Sequence, residues 1–242
     1  MTRTAINLYT VRDLDEPLLD VLDRIADAGY DGVQFAGFGE PTVAEVLDKL
    51  EETGLTPVSG AHVGLEDLQR NLEETRATFQ ERLGCDSAVL SYLDESYFAD
   101  SETTDETISM VHRLSEKVED SGWRLHYHNH DQEFVDLGDE TGLDRLLRVA
   151  TDVGLELDVG WALTGGEDPV TLLERYDDRI EMVHMKDMAD GEFCEIGEGN
   201  VDMQACADTA RDVGATWLIY EHDQPSDPAA SLYHGAAYLN DL

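Results

Sequence analysis

Short apolar runs of β type alternate with amphipathic helical stretches from one end of the chain to the other, and this alternation restricts the fold more than any other feature. Eight such runs are present: Ala5 to Thr10, Gly32 to Phe35, Thr56 to Ser59, Ser87 to Tyr92, Trp123 to His128, Gly154 to Val159, Ile180 to His184 and Thr216 to Tyr220. Between them lie helical patterns such as PLLDVLDRIADAG, VAEVLDKLEETG, LDRLLRVATDVG and VTLLERYDDR, several closing on the glycine expected just past a helix C-terminus. Repeated β-then-α order makes the strands parallel. Eight such units in 242 residues close into a barrel more readily than they spread into an open sheet. The predicted fold class is therefore α/β, a (β/α)8 TIM barrel forming a single domain over residues 1–242. A doubly wound sheet is the alternative, weakened by the lack of a glycine-rich loop after the first strand. The longest irregular stretch, DESYFADSETTDET, reads as a partly ordered loop.

Charge is the unusual bulk property. There are 54 acidic against 16 basic side chains, a formal net charge of −38, and the acids are spread along the whole chain. Such a field repels nucleic acid and anionic membranes, and no local basic patch offsets it. It also suits a high-salt cytoplasm, where the Debye length falls to about 3 Å and self-repulsion is screened. The odd set Cys85, Cys194 and Cys206, without C-x-x-C spacing, fits a reducing compartment and small buried residues rather than disulfides or ligands. No signal-peptide or transmembrane run is visible, so the expected location is cytoplasmic. A homo-oligomer is compatible with all of this.

In a parallel barrel the chemistry gathers at the C-terminal ends of the strands. Four consecutive ends carry ligand-type side chains: HYHNHDQEF, ELDVGW, VHMKD and IYEHD. Alternation along the fifth strand puts His126, His128 and His130 on one side, with Tyr127 and Asn129 on the other. His128, Asp158, His184 and Glu221 then form a ring of two imidazoles and two carboxylates, which predicts a divalent metal ion. Mixed nitrogen and oxygen donors suit Mn²⁺, Co²⁺ or Zn²⁺, with Mg²⁺ the remaining option. Each residue alone has a plainer explanation as a helix cap or a hydrogen-bonded strand residue. Their coincidence on four successive strands favours the ion, because converging buried charges are costly without a counter-ion.

The motifs INLYTVRD, GYDGVQFAGFGE, SGAHVGLEDL, YHNHDQEF, LDVGWALTGGEDP, HMKDM, EIGEGNVD and YEHD run through most of the chain. On them the chain resembles the xylose isomerase-like barrels, which include sugar isomerases and epimerases, inosose dehydratase and endonuclease IV. YHNH, LDVGW and HMKD in this order look closest to the subgroup near inosose dehydratase. The resemblance implies that a metal is held by an acidic residue on the fifth strand, Asp on the sixth, His on the seventh and Glu on the eighth. The last three fall on Asp158, His184 and Glu221. His128 departs from the family at the fifth strand, and so breaks the glutamate pair that ketose epimerases use across the sugar. Trp161 stands near the place where those epimerases have a substrate-touching histidine.

The expected substrate is a small carbohydrate or cyclitol, and the expected reaction starts with loss of a proton beside a carbonyl to give an enediolate. Glu221 is the expected base, with His130 or Lys186 as alternative proton carriers. Lys186 is one of only three lysines and is expected to contact substrate or carboxylates, in preference to a structural ion pair with Asp187. His62, Trp161 and Glu195 are expected to line the pocket. The G-x-G of EIGEGN lacks a basic residue and is not expected to bind phosphate. An isomerase or epimerase is the leading expectation, with a lyase of the inosose dehydratase kind as the alternative. A non-catalytic sugar-binding barrel or an endonuclease IV-like hydrolase ranks below both.

Overall fold

In the computed structural model, which describes residues 2–37 and 39–242, nine parallel strands form one curled sheet. They are β1 (Arg3–Asn7), β2 (Gly32–Gln34), β3 (Thr56–Pro57), β4 (Gly60–Val63), β5 (Ser87–Leu90), β6 (Arg124–His128), β7 (Gly154–Asp158), β8 (Ile180–Met185) and, after a hairpin of β9 (Asp187–Ala189) and β10 (Glu192–Cys194), β11 (Trp217–Tyr220). The sheet's two ends, β3 and β4, are consecutive in the chain and make up one broken stave. Val58 N–H donates to Val33 O at 2.9 Å and His62 N–H to Phe35 O at 3.0 Å, so the ends meet and the barrel has eight staves.

Most of the expected runs coincide with strands, and the exceptions have local causes. The first run stops at Asn7, whose side chain accepts from Tyr9 N–H and turns Leu8–Val11 into a 3-10 helix. The third resumes after Ser59 and runs on to Val63, which puts His62 on a strand. DESYFADSETTDET is not a loop. Asp94 and Asp100 cap successive helical segments, and Ser101–Asp120 is a continuous helix of 20 residues. Its inner face starts with the buried Thr104 and Thr107, whose hydroxyls donate to Asp100 O and Tyr97 O, both at 2.8 Å. Threonines on the buried side conceal the helical period from a hydropathy reading. The helices Leu18–Ala28 and Val43–Thr53 do end as predicted, on Gly29 and Gly54 with φ of 95° and 75°.

The outward faces of the strands pack against the helices in one large apolar cluster. Inside the barrel, Ala5, Val58, Val89, Met182, Trp217 and Ile219 form a separate apolar plug. Room for it comes from missing side chains: a Cβ at Gly32 would strike the Trp217 ring, and one at Gly60 would strike Met182 and Val89. Above the plug the inward positions turn polar, with Asn7, Gln34, His128, Glu156, Asp158, His184 and Lys186 all buried. No helix among the described residues is long and apolar enough to cross a membrane.

With 54 acids against 16 basic side chains, most surface carboxylates have no cationic partner to offset their mutual repulsion. Screening should therefore stabilise the fold. Raising KCl from about 0.1 M to about 2 M is expected to lift the thermal midpoint by roughly 5–10 °C, about 2–3 kcal/mol. A midpoint that stays level or falls in a differential scanning experiment would contradict this.

Candidate metal centre

The four strand-end residues meet at the C-terminal mouth of the barrel. His128 closes β6, Asp158 closes β7, His184 lies in β8, and Glu221 follows β11. One ligand atom from each lies within 4.8 Å of all the others, and all four residues are buried. His128 Nε2 is 3.2 Å from His184 Nδ1 and 3.5 Å from Asp158 Oδ2, while His184 Nδ1 is 3.0 Å from Glu221 Oε2.

The local sequence explains this positioning. Tyr127 and Asn129 point away from the axis and act as braces. Tyr127 OH donates to Glu133 Oε1 at 2.7 Å, and Glu133 Oε2 accepts His130 N–H at 2.7 Å, so the segment after β6 is tied to itself. Asn129 bonds both backbone groups of Asp158, accepting its N–H at 2.9 Å and donating to its carbonyl at 3.2 Å. Asp158 satisfies the plain reading and the ligand reading at once. Its Oδ1 caps the helix Val159–Thr164 by accepting Trp161 N–H at 2.9 Å, whereas its buried Oδ2 has no well-directed hydrogen bond.

That orphaned oxygen, with the converging nitrogens of His128 and His184 and the carboxylate of Glu221, fits a borderline divalent ion. Here the cationic role falls to Lys186. Its Nζ lies 3.1 Å from Asp158 Oδ2, 2.9 Å from Glu221 Oε2 and 2.8 Å from Asp223 Oδ1. Burial would lower its pKa, but these three carboxylates overcome that and raise it. This favours the ammonium form of Lys186. It does not pair with Asp187. The Asp187 carboxylate accepts backbone N–H groups of Met188, Gly197, Gly199 and Val201, and so ties the turn after β10 together.

A cavity of about 680 Å³ opens over the centre, within the usual size range for small-molecule sites. His62, His128, His130, Trp161, Lys186 and Glu221 line it, as does Asp223, which sequence reasoning missed. Tyr9 and Tyr92, both partly exposed, stand at its rim. Burial pushes the His130 imidazole down to about 2, helped by His128 and Lys186, so the ring is neutral. Burial would raise the Glu221 carboxyl, but Lys186 and His184 hold it well below the usual range. Burial also opposes protonation of His184, yet Glu156 and Glu221 raise its imidazole to about 10.

Glu195 does not join the site. Its Oε2 accepts from Tyr220 OH at 2.9 Å and Ser231 OH at 3.0 Å, and it is absent from the cavity lining. These bonds brace β11 against the helix Pro228–Asp241. Glu156, Gln34 and Asn7 were also missed. The available signal was the period of two: Glu156 precedes Asp158 by two residues and points the same way, one layer deeper.

Residues 22–242 match the family model described as the xylose isomerase-like TIM barrel. The chain belongs to this family. An inosose dehydratase from Geobacillus kaustophilus is 30% identical over 190 residues, covering 69% of this chain and 61% of that protein, so the match spans about three fifths of the relative's length. An inosose dehydratase from Lacticaseibacillus casei is 26% identical over 249 residues, covering 86% of this chain and 82% of the relative. Among solved structures, a sugar phosphate isomerase/epimerase from Parabacteroides distasonis superposes with a TM-score of 0.81 at 20% identity, covering 99% of this chain and 98% of that one. At that identity the likeness concerns the fold alone.

Proposed function

We propose that this family member is a divalent-metal-dependent carbon–oxygen lyase that removes water from a neutral keto-cyclitol or keto-sugar. The observation that carries the reading is the convergence of His128, Asp158, His184 and Glu221 around Lys186 under a cavity of monomer size. The relatives from Geobacillus kaustophilus and Lacticaseibacillus casei are inosose dehydratases, which favours the lyase over the isomerase or epimerase that the sequence motifs put first. The family resemblance supports the same reading, since it implies that His128 takes the fifth-strand place of a carboxylate in ketose epimerases and so breaks their glutamate pair.

His128, Asp158, His184 and Glu221 would hold the ion, which would supply Lewis acidity toward a substrate carbonyl. The protein does the rest. The Glu221 carboxylate takes the proton beside the carbonyl. Lys186, held protonated, donates hydrogen bonds to oxygen on which negative charge develops. The electron pair left by the proton forms the C=C bond as the β-hydroxyl departs and takes up the proton held by Glu221, so that the balance is loss of one water and a regenerated carboxylate. Trp161, against which Lys186 Nζ lies at 5.2 Å from the ring centroid, walls the cavity and excludes bulk solvent. Among the described residues that line the cavity Lys186 is the only Lys or Arg, and its charge is matched by three carboxylates. The cavity therefore favours a neutral polyol over a phosphate ester or a carboxylic acid.

Incubation with 2-keto-inositols and keto-sugars in D₂O with Mn²⁺ or Co²⁺ tests this by mass spectrometry and proton NMR. A product lighter by one water is expected. A product of unchanged backbone mass carrying deuterium at an inverted carbon would replace the lyase with an epimerase.

A further inference from the structure

Beneath the metal centre lies a buried chain of side chains whose hydrogen bonds can run in only one direction. It is anchored at two backbone groups. Tyr9 N–H donates to Asn7 Oδ1 at 2.8 Å, which leaves the Asn7 amide as the donor on its other side. Gln34 Nε2 donates to Gly60 O at 3.1 Å, which fixes the Gln34 amide in the same way. The rest follows from donor and acceptor bookkeeping. Asn7 Nδ2 donates to Gln34 Oε1 at 2.7 Å and to His62 Nδ1 at 3.3 Å. His62 must then carry its proton on Nε2, and it gives that bond to Glu156 Oε2. The other carboxylate oxygen of Glu156 accepts from Gln34 Nε2 at 2.5 Å. Two acceptors remain, Gln34 Oε1 and Glu156 Oε2, and they lie 2.8 Å and 3.2 Å from His184 Nε2. Nothing on that side of the ring can donate to it.

We infer that Asn7, Gln34, His62 and Glu156 form a positioning network that keeps a proton on His184 Nε2 and so reserves Nδ1 as the metal-ligating atom. Nδ1 faces His128 Nε2 and Glu221 Oε2, the other members of the centre. A buried carboxylate behind a ligating imidazole also strengthens it as a donor, and outer partners of this kind are worth about 10–100-fold in metal affinity. Glu156 is 0% exposed. The inference rests on the metal-centre reading and is independent of the reaction catalysed.

The same geometry admits a rival. His62, His128, Glu156 and His184 themselves bring ligand atoms within 4.8 Å of one another, which would allow a second ion with Glu156 as a ligand. Long-range ¹H–¹⁵N spectra of histidine-labelled, Zn²⁺-loaded protein separate the two. One ion per chain is expected, with His184 metal-bound through Nδ1 and protonated on Nε2. In parallel, Glu156→Gln and Gln34→Met are titrated with Zn²⁺ against a competing chelator, with far-UV circular dichroism to verify folding. Each should weaken Zn²⁺ binding by about 10–100-fold. If Glu156→Gln does not fold, the Gln34→Met affinity and the wild-type spectrum decide. Ligation through Nε2, unchanged affinity in the folded variants, or two ions per chain would overturn the inference. A wild-type protein that takes up no Zn²⁺ would overturn the metal centre itself, and the network's role with it.

Discussion

Lys186→Met is expected to lower the unfolding free energy of the metal-free protein by about 3–5 kcal/mol, the cost of leaving buried charge without its partner. Methionine keeps most of the stem's volume, so packing changes little and the loss is mainly electrostatic. What remains is three carboxylates, Asp158, Glu221 and Asp223, within 3.1 Å of a vanished ammonium. Lys186 is 1% exposed, Asp158 0% and Glu221 4%, so water screens these charges poorly. A divalent ion at the centre supplies positive charge in the same place. Saturating Mn²⁺ should therefore restore more stability to the variant than it adds to the wild type. Urea unfolding with and without Mn²⁺ measures both quantities. A variant as stable as the wild type without metal would show that the carboxylates share protons instead, and would remove the ammonium from its assigned role.

The second large effect concerns the ligands. Asp158→Asn and Glu221→Gln are each expected to reduce kcat/KM by about 10³-fold, close to 4 kcal/mol of transition-state stabilisation. Asp158→Asn is the sharper test because its two oxygens have separate duties. The amide oxygen can still accept Trp161 N–H and cap the helix, so the fold is preserved while the Oδ2 donor is lost. Metal content should fall with activity, and dialysis of wild-type protein against a chelator should mimic the substitution until Mn²⁺ or Co²⁺ is returned. Full activity in metal-depleted wild type would sink the proposed chemistry, and an Asp158→Asn protein that keeps both metal and turnover would remove this residue as a ligand.

Much of this site is legible along the chain because parallel barrels impose a simple rule. Inward positions repeat every second residue, and the last inward residue of each strand reaches the mouth. That rule is enough to select His128, Asp158, His184 and Glu221 and to put His130 with them. It does not suffice for His62, whose strand is interrupted after Pro57 and resumes at Gly60. It does not reach Glu195 either, which lies beyond β10 in a turn whose course depends on backbone bonds to Asp187. The helix Ser101–Asp120 escapes notice because its inner face opens with threonines that bond to the preceding turn.

By itself, the sequence determined the barrel, its strand order and the four residues that crown it, because hydrophobic periodicity and strand alternation are local properties. It also determined the excess of negative charge. Only the tertiary structure decided what those groups do to one another. Lys186 is held as a cation because carboxylates from two separate segments, Asp158 at the end of β7 and Glu221 and Asp223 after β11, close around it, and Glu156 acquired a purpose because Gln34 and His62, more than 90 residues away, turn their donors toward it. Proton placement depends on who faces whom across the barrel. That is a property of the closed ring and of no single strand.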